Sequence, residues 1–238
     1  MNLPLASKPA RPRLAEDLVP PIPPLANRVR VRTVMRFLAV SYFKVEVVGR
    51  EHAPQRGSAI VIPNHPSFLD PFLVGWGMRA WVTWMAWDKA FDWPVVGPIM
   101  NSMGAVPVNL ERASSESLKT AYAILKADRM LGLFFEGKRT VEGNFQLNDP
   151  LQGAARIALR TGVPIYPVSL AGIRRLWGYS SAGPKPGPIT VTFHPPIDPA
   201  DFRRGPRCER ARFLTDRIAA TIRSGLPIDG AHRHWSQG

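Results

Sequence analysis

The chain has 238 residues, 45% of them hydrophobic, so it is long enough to bury a core, and its one cysteine, Cys208, excludes an intramolecular disulfide framework and a cysteine-based zinc site. The formal net charge of +13 lies mainly at the ends: residues 1–50 carry nine Lys and Arg against three acids, and residues 201–238 carry eight against four. Basic ends on a balanced body indicate contact with an anionic surface, either lipid headgroups or nucleic acid, unless they serve solubility alone.

The N-terminal part is predicted to be a disordered, proline-rich tail over residues 1–26, followed by a basic amphipathic helix within residues 27–44. Asn27 is a suitable cap for this helix, which is expected to run to about Tyr42. An apolar face edged with arginine is typical of a helix lying in a membrane interface, but the same face could pack on the core with solvated arginines. The apolar positions are Val31, Val34, Met35, Leu38 and Tyr42, and the arginines are Arg28, Arg32 and Arg36.

No apolar run approaches the roughly 20 residues needed to cross a bilayer, and no secretory signal is visible. The expected location is therefore peripheral, at the cytoplasmic face of the plasma membrane, without a transmembrane span. Cysteine usage agrees with a reducing compartment.

From Ser58 onward strand and helix patterns alternate, which predicts an α/β layered fold with a central mixed β-sheet flanked by helices. We expect one domain over residues 45–226 and a C-terminal tail over residues 227–238. The predicted strands are 59–63, 81–87, 105–109, 131–135, 165–170 and 189–193, and the predicted helices start at Pro71 and Val95 and span 114–128, 150–161 and 207–224.

A histidine follows the first of these strands directly: in "SAIVIPNHPSFLD", His65 comes after the strand and Asp70 five positions later. Side chains just past the carboxyl end of a strand occupy the place where α/β folds build their sites. A carboxylate that holds one imidazole nitrogen leaves the other to take a proton from a hydroxyl. No nucleophile elbow is present, so that hydroxyl would belong to a substrate. The alternative is structural, with Asp70 capping a helix that has Pro71 at its first position.

A second cluster of polar residues occurs in the segment "GLFFEGKRT", residues 132–140. It is not a phosphate-binding P-loop, because Arg139 occupies the position of the magnesium-binding Ser or Thr. It does place Glu136, Lys138 and Arg139 on a glycine turn at a strand end, where two cations could bind a phosphate. Taken alone, the segment would equally be a charged surface turn.

Five tryptophans lie within 18 residues of one another, in the region that follows the histidine. Tryptophan favours membrane interfaces, and a binding site for a long apolar ligand would also need large apolar side chains. Core packing is the commoner explanation. The five are Trp76, Trp81, Trp84, Trp87 and Trp93.

Together, four blocks over about residues 57–172 resemble the glycerolipid acyltransferase family, typified by 1-acylglycerol-3-phosphate acyltransferase. "NHPSFLD" resembles the family's Asn-His-x4-Asp block, and "GAVPVNLER" the second block, which ends in an arginine. "FFEGKRT" is similar to the Phe-Pro-Glu-Gly-Thr-Arg-Ser block, and "VPIYPV" to the fourth, a proline-flanked strand. All four occur in the family's order.

The resemblance implies direct acyl transfer from acyl-CoA or acyl-carrier protein to a lipid hydroxyl, with no metal and no cofactor beyond that co-substrate. By position, His65 is the base and Asp70 its orienter. The acceptor site is implied to contain Glu136, Gly137, Lys138, Arg139 and Arg112. Phe135 and Lys138 replace the family's usual proline and threonine, and Arg112 lies about two residues later than the pattern predicts.

The sequence therefore predicts an enzyme that makes phosphatidic acid from 1-acylglycerol-3-phosphate at an anionic membrane surface. The nearest rival is the same chemistry on another lysophospholipid or on a glycolipid. A rival from another class is a non-catalytic basic module that binds anionic membrane or nucleic acid. It accounts for the net charge but not for His65 with Asp70, and no nucleic-acid-binding motif is present.

Overall fold

The computed structural model of the chain describes residues 18–78, 80–109, 115–136, 152–177 and 184–227. Over these ranges the chain forms a seven-stranded sheet in the order β1-β7-β6-β2-β5-β3-β4. All neighbouring strands are parallel except β6 and β7, which are antiparallel, so the sheet is mixed. The strands are β1 Val45–Val48, β2 Ala59–Pro63, β3 Val82–Trp87, β4 Val106–Val108, β5 Met130–Gly132, β6 Ile165–Ala171 and β7 Ile189–Phe193.

Helices cover both faces of this sheet, which explains why all five residues of β2 are buried. One face packs against α4, α5 and α7, with Leu214 and Ile218 of α7 fully enclosed. The opposite face packs against α1, α2 and α6 around Leu73 and Phe193. The helices are α1 Leu25–Phe37, α2 Asp70–Gly77, α3 Val96–Ser102, α4 Ser115–Lys126, α5 Gly153–Thr161, α6 Ile173–Trp177 and α7 Arg207–Ser224.

This architecture confirms the predicted α/β layered fold with a mixed sheet flanked by helices. Strands β2 and β7 and helix α7 have the predicted bounds. The edge strand β1 was not predicted, because four half-exposed residues beside a helical pattern give little signal. Strand β5 was predicted to reach Phe135, but its pairing with β3 ends at Gly132. Beyond Gly132 the N–H groups of Leu133 and Phe135 still donate to carbonyls of β2.

The N-terminal helix differs from its prediction at both ends. Asn27 lies inside α1, which begins at Leu25, so its predicted capping role is wrong; the residue before the helix is Pro24, whose carbonyl accepts from the Arg28 N–H. After Phe37 the chain continues as a π-helical turn, Leu38–Tyr42.

Of the predicted tail, residues 18–24 lead into α1, and Arg129 Nη1 donates to the carbonyl of Pro20. Residues 1–17 and 228–238 lie outside the described ranges. Within those ranges, no helix has both the length and the apolar character that a bilayer span requires.

The register of the sheet decides where a site can form. Ile60 of β2 pairs with Leu131 of β5 and with Ile165 of β6, so the three strands run side by side in the same direction. Their carboxyl ends therefore meet at one edge of the sheet, where the loop after β2 faces the turn after β5. In open α/β sheets this edge is where ligands bind.

Candidate active site

The segment between β2 and α2, residues 64–69, is called the His65 loop below, and its first residue ties it to the neighbouring strand. The Asn64 side chain is buried; its Oδ1 accepts from the Leu170 N–H at 2.8 Å, and its Nδ2 donates to the Leu170 carbonyl at 3.1 Å. The Asn64 amide thus takes the place of a backbone peptide group opposite Leu170, and it extends the hydrogen bonding between β2 and β6 by one position. Because both ends of the amide are engaged, the chain direction at His65 is fixed.

His65 and Asp70 meet as the sequence predicted. Nδ1 of His65 lies 2.8 Å from Oδ2 of Asp70, and the Ser67 N–H donates to the same oxygen at 2.8 Å. The Asp70 side chain is fully buried, whereas the His65 side chain is 16% exposed. A buried carboxylate accepts, so Nδ1 carries the proton and Nε2 is the basic nitrogen of the neutral ring. Although Asp70 starts α2, its Oδ2 is directed back over the loop.

Aromatic rings fix the plane of the imidazole. The Phe134 ring is stacked on His65, with centroids 3.7 Å apart and an interplanar angle of 15°. Trp84 is stacked on Phe134 in turn, at 5.1 Å and 19°. Gly132 stands opposite Trp84 in the ladder, and a Cβ there would lie 2.4 Å from the indole, so the absence of a side chain lets the indole lie flat.

Glu136 holds the His65 loop from the β5 side. Its side chain is buried, and Oε1 accepts from the His65 backbone N–H at 3.3 Å. The family resemblance implied a place for Glu136 in the acceptor site; in the structure its side chain lies against the His65 loop. Gly137, Lys138, Arg139 and Arg112 lie outside the described residues.

The roles of Asn64 and Phe134 were not predicted. Asn64 is adjacent to the histidine, but its partner Leu170 is 106 positions away, and only the sheet brings the two together. Phe134 carried a weak signal, because it stands two residues before Glu136 and alternate residues along an extended segment share a face.

An apolar cavity of ≈ 180 Å³ lies behind the aromatic stack, between α1, α2 and β3. Trp84 forms part of its wall, so the cavity is separated from His65 by the Trp84 and Phe134 rings. In the described ranges, no group of three or more His, Cys, Asp and Glu side chains is placed to bind a metal ion. Other residues lining the cavity include Val31, Met35, Trp76, Met78, Trp81 and Met103.

The geometry combines an imidazole, a buried carboxylate paired with its Nδ1 and a position at the carboxyl ends of parallel strands. The family model that matches residues 44–171, more than half of the chain, is described as Acyltransferase. The chain belongs to the acyltransferase family. The matched region contains the His65 loop, the aromatic stack and Glu136, so the observed site lies within the family's domain.

Curated relatives of this acyltransferase include plant and bacterial enzymes. It is 31% identical over 161 residues to the chloroplastic 1-acyl-sn-glycerol-3-phosphate acyltransferase BAT2 of Brassica napus, an alignment covering 66% of this chain and 46% of that protein. It is 27% identical over 184 residues to the 1-acyl-sn-glycerol-3-phosphate acyltransferase of Bacillus subtilis, covering 75% and 86%. The chain thus spans about half the length of the plant relative and most of the bacterial one.

Among solved structures, the acyltransferase resembles the 1-acyl-sn-glycerophosphate acyltransferase PlsC from Thermotoga maritima. The TM-score is 0.65 at 24% sequence identity, and the superposition covers 84% of this chain and 80% of that one. At this identity the likeness supports the fold.

Proposed function

We propose that this protein transfers a fatty acyl group from acyl-CoA or acyl-carrier protein to the free hydroxyl of 1-acylglycerol-3-phosphate, giving phosphatidic acid. The observation that carries the proposal is the 2.8 Å pairing of His65 Nδ1 with the fully buried Asp70 carboxylate. Relatives named 1-acyl-sn-glycerol-3-phosphate acyltransferase support the choice of acceptor.

In the proposed reaction, Nε2 of His65 removes the proton from the acceptor hydroxyl as its oxygen attacks the thioester carbonyl carbon. The C–S bond then breaks, and the thiolate leaves with the proton that His65 has held. Asp70 keeps the imidazole in the required tautomer and stabilises the imidazolium. No covalent enzyme intermediate is needed, because the thioester is already activated and the site supplies mainly proximity and the base.

For the acceptor phosphate we propose the residues that follow Glu136, namely Gly137, Lys138 and Arg139, together with Arg112 from the second block. Glu136 itself would act through the His65 loop, since its Oε1 lies on the His65 N–H. The Phe135 N–H donates a hydrogen bond to the Pro63 carbonyl at 3.0 Å. The family's usual proline could not make this bond, because proline has no backbone N–H. With Lys138 in place of threonine, another lysophospholipid or a glycolipid stays the alternative acceptor.

The apolar cavity behind Trp84 is proposed to receive an acyl chain. Its lining is mainly apolar, with Arg32 and Arg50 also bordering it, and the stacked rings of Trp84 and Phe134 stand between it and His65. No further cofactor is proposed beyond the acyl donor.

We also propose that α1 rests on an anionic membrane, as a peripheral contact at the cytoplasmic face of the plasma membrane. Met35 and, after α1, Phe43 pack on the core, while the opposite face exposes Val29, Phe37 and Val40 at 53%, 67% and 62%. On the apolar face that the sequence predicted, Met35 is buried and Val31 and Leu38 pack against the core, so we propose the other face for the membrane contact. Exposed apolar residues among arginines suit lipid headgroups and acyl chains, whereas nucleic acid would bind the arginines alone.

Thiol release from oleoyl-CoA in detergent micelles, with lysophosphatidic acid as acceptor, tests the reaction. His65→Ala should lower the acceptor-dependent rate about 10²- to 10⁴-fold. His52→Ala is the matched control, since His52 is a partly exposed histidine whose ring lies near Glu51. Wild type without acceptor-dependent release would overturn the lysophosphatidic acid assignment, and a panel of other lipid acceptors would then identify the substrate. Activity that survives His65→Ala would overturn the mechanism.

A further inference from the structure

A second exposed apolar surface, formed by other residues than those of α1, includes Phe68 of the His65 loop. This rim patch consists of Phe68, Trp93, Val95 and Ile99; the exposed fractions of Phe68, Val95 and Ile99 are 38%, 68% and 42%. From Trp93 to Asn109 the sequence contains no charged residue, although charged residues make up 21% of the chain. Contiguous exposed apolar side chains without charge mark interaction surfaces.

Ring contacts connect the rim patch to the reacting end of the site. Phe68 stands between His65 and Asp70 in the chain, and its ring meets Trp93 edge-on at 5.7 Å. Trp93 in turn meets Trp87 at 6.2 Å, and Lys89 Nζ lies 5.7 Å above the Trp87 ring. Whatever covers the rim patch therefore lies against the loop that presents the base.

The helix that carries Ile99, α3, ends beside the segment that leads into α1. A Cβ on Gly104, which follows α3, would lie 3.1 Å from the Pro21 carbonyl oxygen and 3.5 Å from the Pro23 ring. Met103 at the end of α3 and Met35 of α1 line the same cavity. The C-terminal end of α3 and the inner face of α1 thus border the same cavity.

We propose that the rim patch is a second membrane-contact element, which brings the mouth of the active site against the bilayer; this rests on the membrane association proposed above. The occupant is an anionic bilayer because α3 ends beside the segment that leads into α1, where Arg30 and Arg36 are exposed, and because Trp and Phe are the side chains favoured at the headgroup level. A lysophospholipid held in that bilayer would then reach His65 without leaving the interface.

Site-specific fluorescence tests the proposal, because replacing Cys208 by serine leaves the chain without cysteine. Single cysteines would be introduced by Ile99→Cys in the rim patch, Phe37→Cys in α1 and Leu118→Cys in α4, and each labelled with an environment-sensitive nitrobenzoxadiazole dye. Leu118 is the matched control, since its exposed fraction is 40% and α4 covers the opposite face of the sheet from α1. With vesicles of phosphatidylglycerol and phosphatidylcholine, emission should shift to the blue at positions 99 and 37 and stay unchanged at 118.

The affinity of the protein for the same vesicles measures how much the rim patch contributes to membrane binding. Val95→Asp with Ile99→Asp should weaken vesicle binding about tenfold or more, since two apolar side chains lose their burial. Leu118→Asp with Phe213→Asp, at comparable exposure, should bind as wild type. Acyl transfer to a short-chain acceptor kept below its micelle concentration should be retained by both pairs.

The possible outcomes distinguish failure of the rim-patch proposal from failure of the proposed membrane association. A blue shift at position 37 but not at 99 would overturn the rim patch and leave α1 as the membrane contact. No shift at either position would overturn membrane association itself, whatever the transfer assay shows. The wild type could instead form a dimer that the Val95→Asp, Ile99→Asp double variant dissociates, while vesicle binding stays unchanged. That result would assign the rim patch to a second copy of the chain and overturn the proposal.

Discussion

Phe134 lies flat against the imidazole of His65, with ring centroids 3.7 Å apart and planes only 15° from parallel. The negative face of an aromatic ring attracts a cation, so this contact favours the imidazolium that forms when His65 takes a proton. It also prevents the ring from rotating away from Asp70. Phe134 is therefore a positioning residue for the proposed base.

Phe134→Leu should lower the turnover number about 2- to 30-fold, the range expected for a lost cation–π contact of about 0.5–2 kcal/mol. Phe134→Tyr retains an aromatic face and should restore most of the activity. Thermal unfolding of both variants shows whether the fold is preserved. Equal losses in the leucine and tyrosine variants would show that ring stacking is not the reason for the effect.

Asp70→Asn should reduce acceptor-dependent thiol release about 10²- to 10⁴-fold. The amide is nearly isosteric and its oxygen can still accept from the Ser67 N–H, so folding should change little. The same oxygen faces Nδ1 and can still accept from it, but the neutral amide no longer supplies the charge that stabilises the imidazolium. A variant that keeps wild-type turnover would remove Asp70 from the mechanism.

Two variants of Glu136 would show whether this residue holds the His65 loop or binds the acceptor. Glu136→Gln retains an oxygen that can accept from the His65 N–H, whereas Glu136→Ala removes this acceptor from a partly buried N–H. We expect the alanine variant to lose roughly tenfold or more in kcat, and the glutamine variant to remain close to wild type. If glutamine is as damaging as alanine and raises KM for the lysophospholipid, the carboxylate charge acts on the acceptor side.

How far the sequence predicts this molecule depends on whether a feature is local. The bounds of β2 follow from its run of apolar residues, and His65 with Asp70 could be identified because only five positions separate them. The Asn64–Leu170 bonds could not be predicted, because their partners meet only through the β2–β6 register. The stacking of Phe134 on His65 likewise depends on the β2–β5 register.

The buried pair of Ser169 and His194 should make stability depend on pH. The Ser169 hydroxyl donates its proton to the Ile222 carbonyl at 2.6 Å. Ser169 Oγ is therefore the acceptor in its contact with His194, and the Nε2–H of His194 donates to it at 2.7 Å. Burial, and secondarily the charge of His52, lower the pKa of His194 below its usual value. Below about pH 6.5 the unfolded chain therefore takes up a proton before the folded one, and stability falls as the pH falls.

Urea unfolding at about pH 7.5 and about pH 5.5 measures this effect, with a lower midpoint expected at the acidic pH. His194→Gln keeps a donor toward Ser169 and removes the titration, so the difference between the two midpoints should shrink. A difference of unchanged size in that variant would assign the pH dependence to other groups.

Gly132→Ala tests the aromatic stack from its far end. A methyl group there would lie 2.4 Å from Cε3 and 2.6 Å from Cδ2 of Trp84, so the indole must move, and Phe134 and His65 move with it. We expect a destabilisation of about 1–3 kcal/mol together with a fall in kcat larger than any change in KM. Gly153→Ala is the matched control, because nothing lies within 4 Å of its added Cβ; at the start of α5 it should stabilise by up to about 1 kcal/mol. Loss of stability without loss of turnover in the folded protein would show that Trp84 does not act on the imidazole.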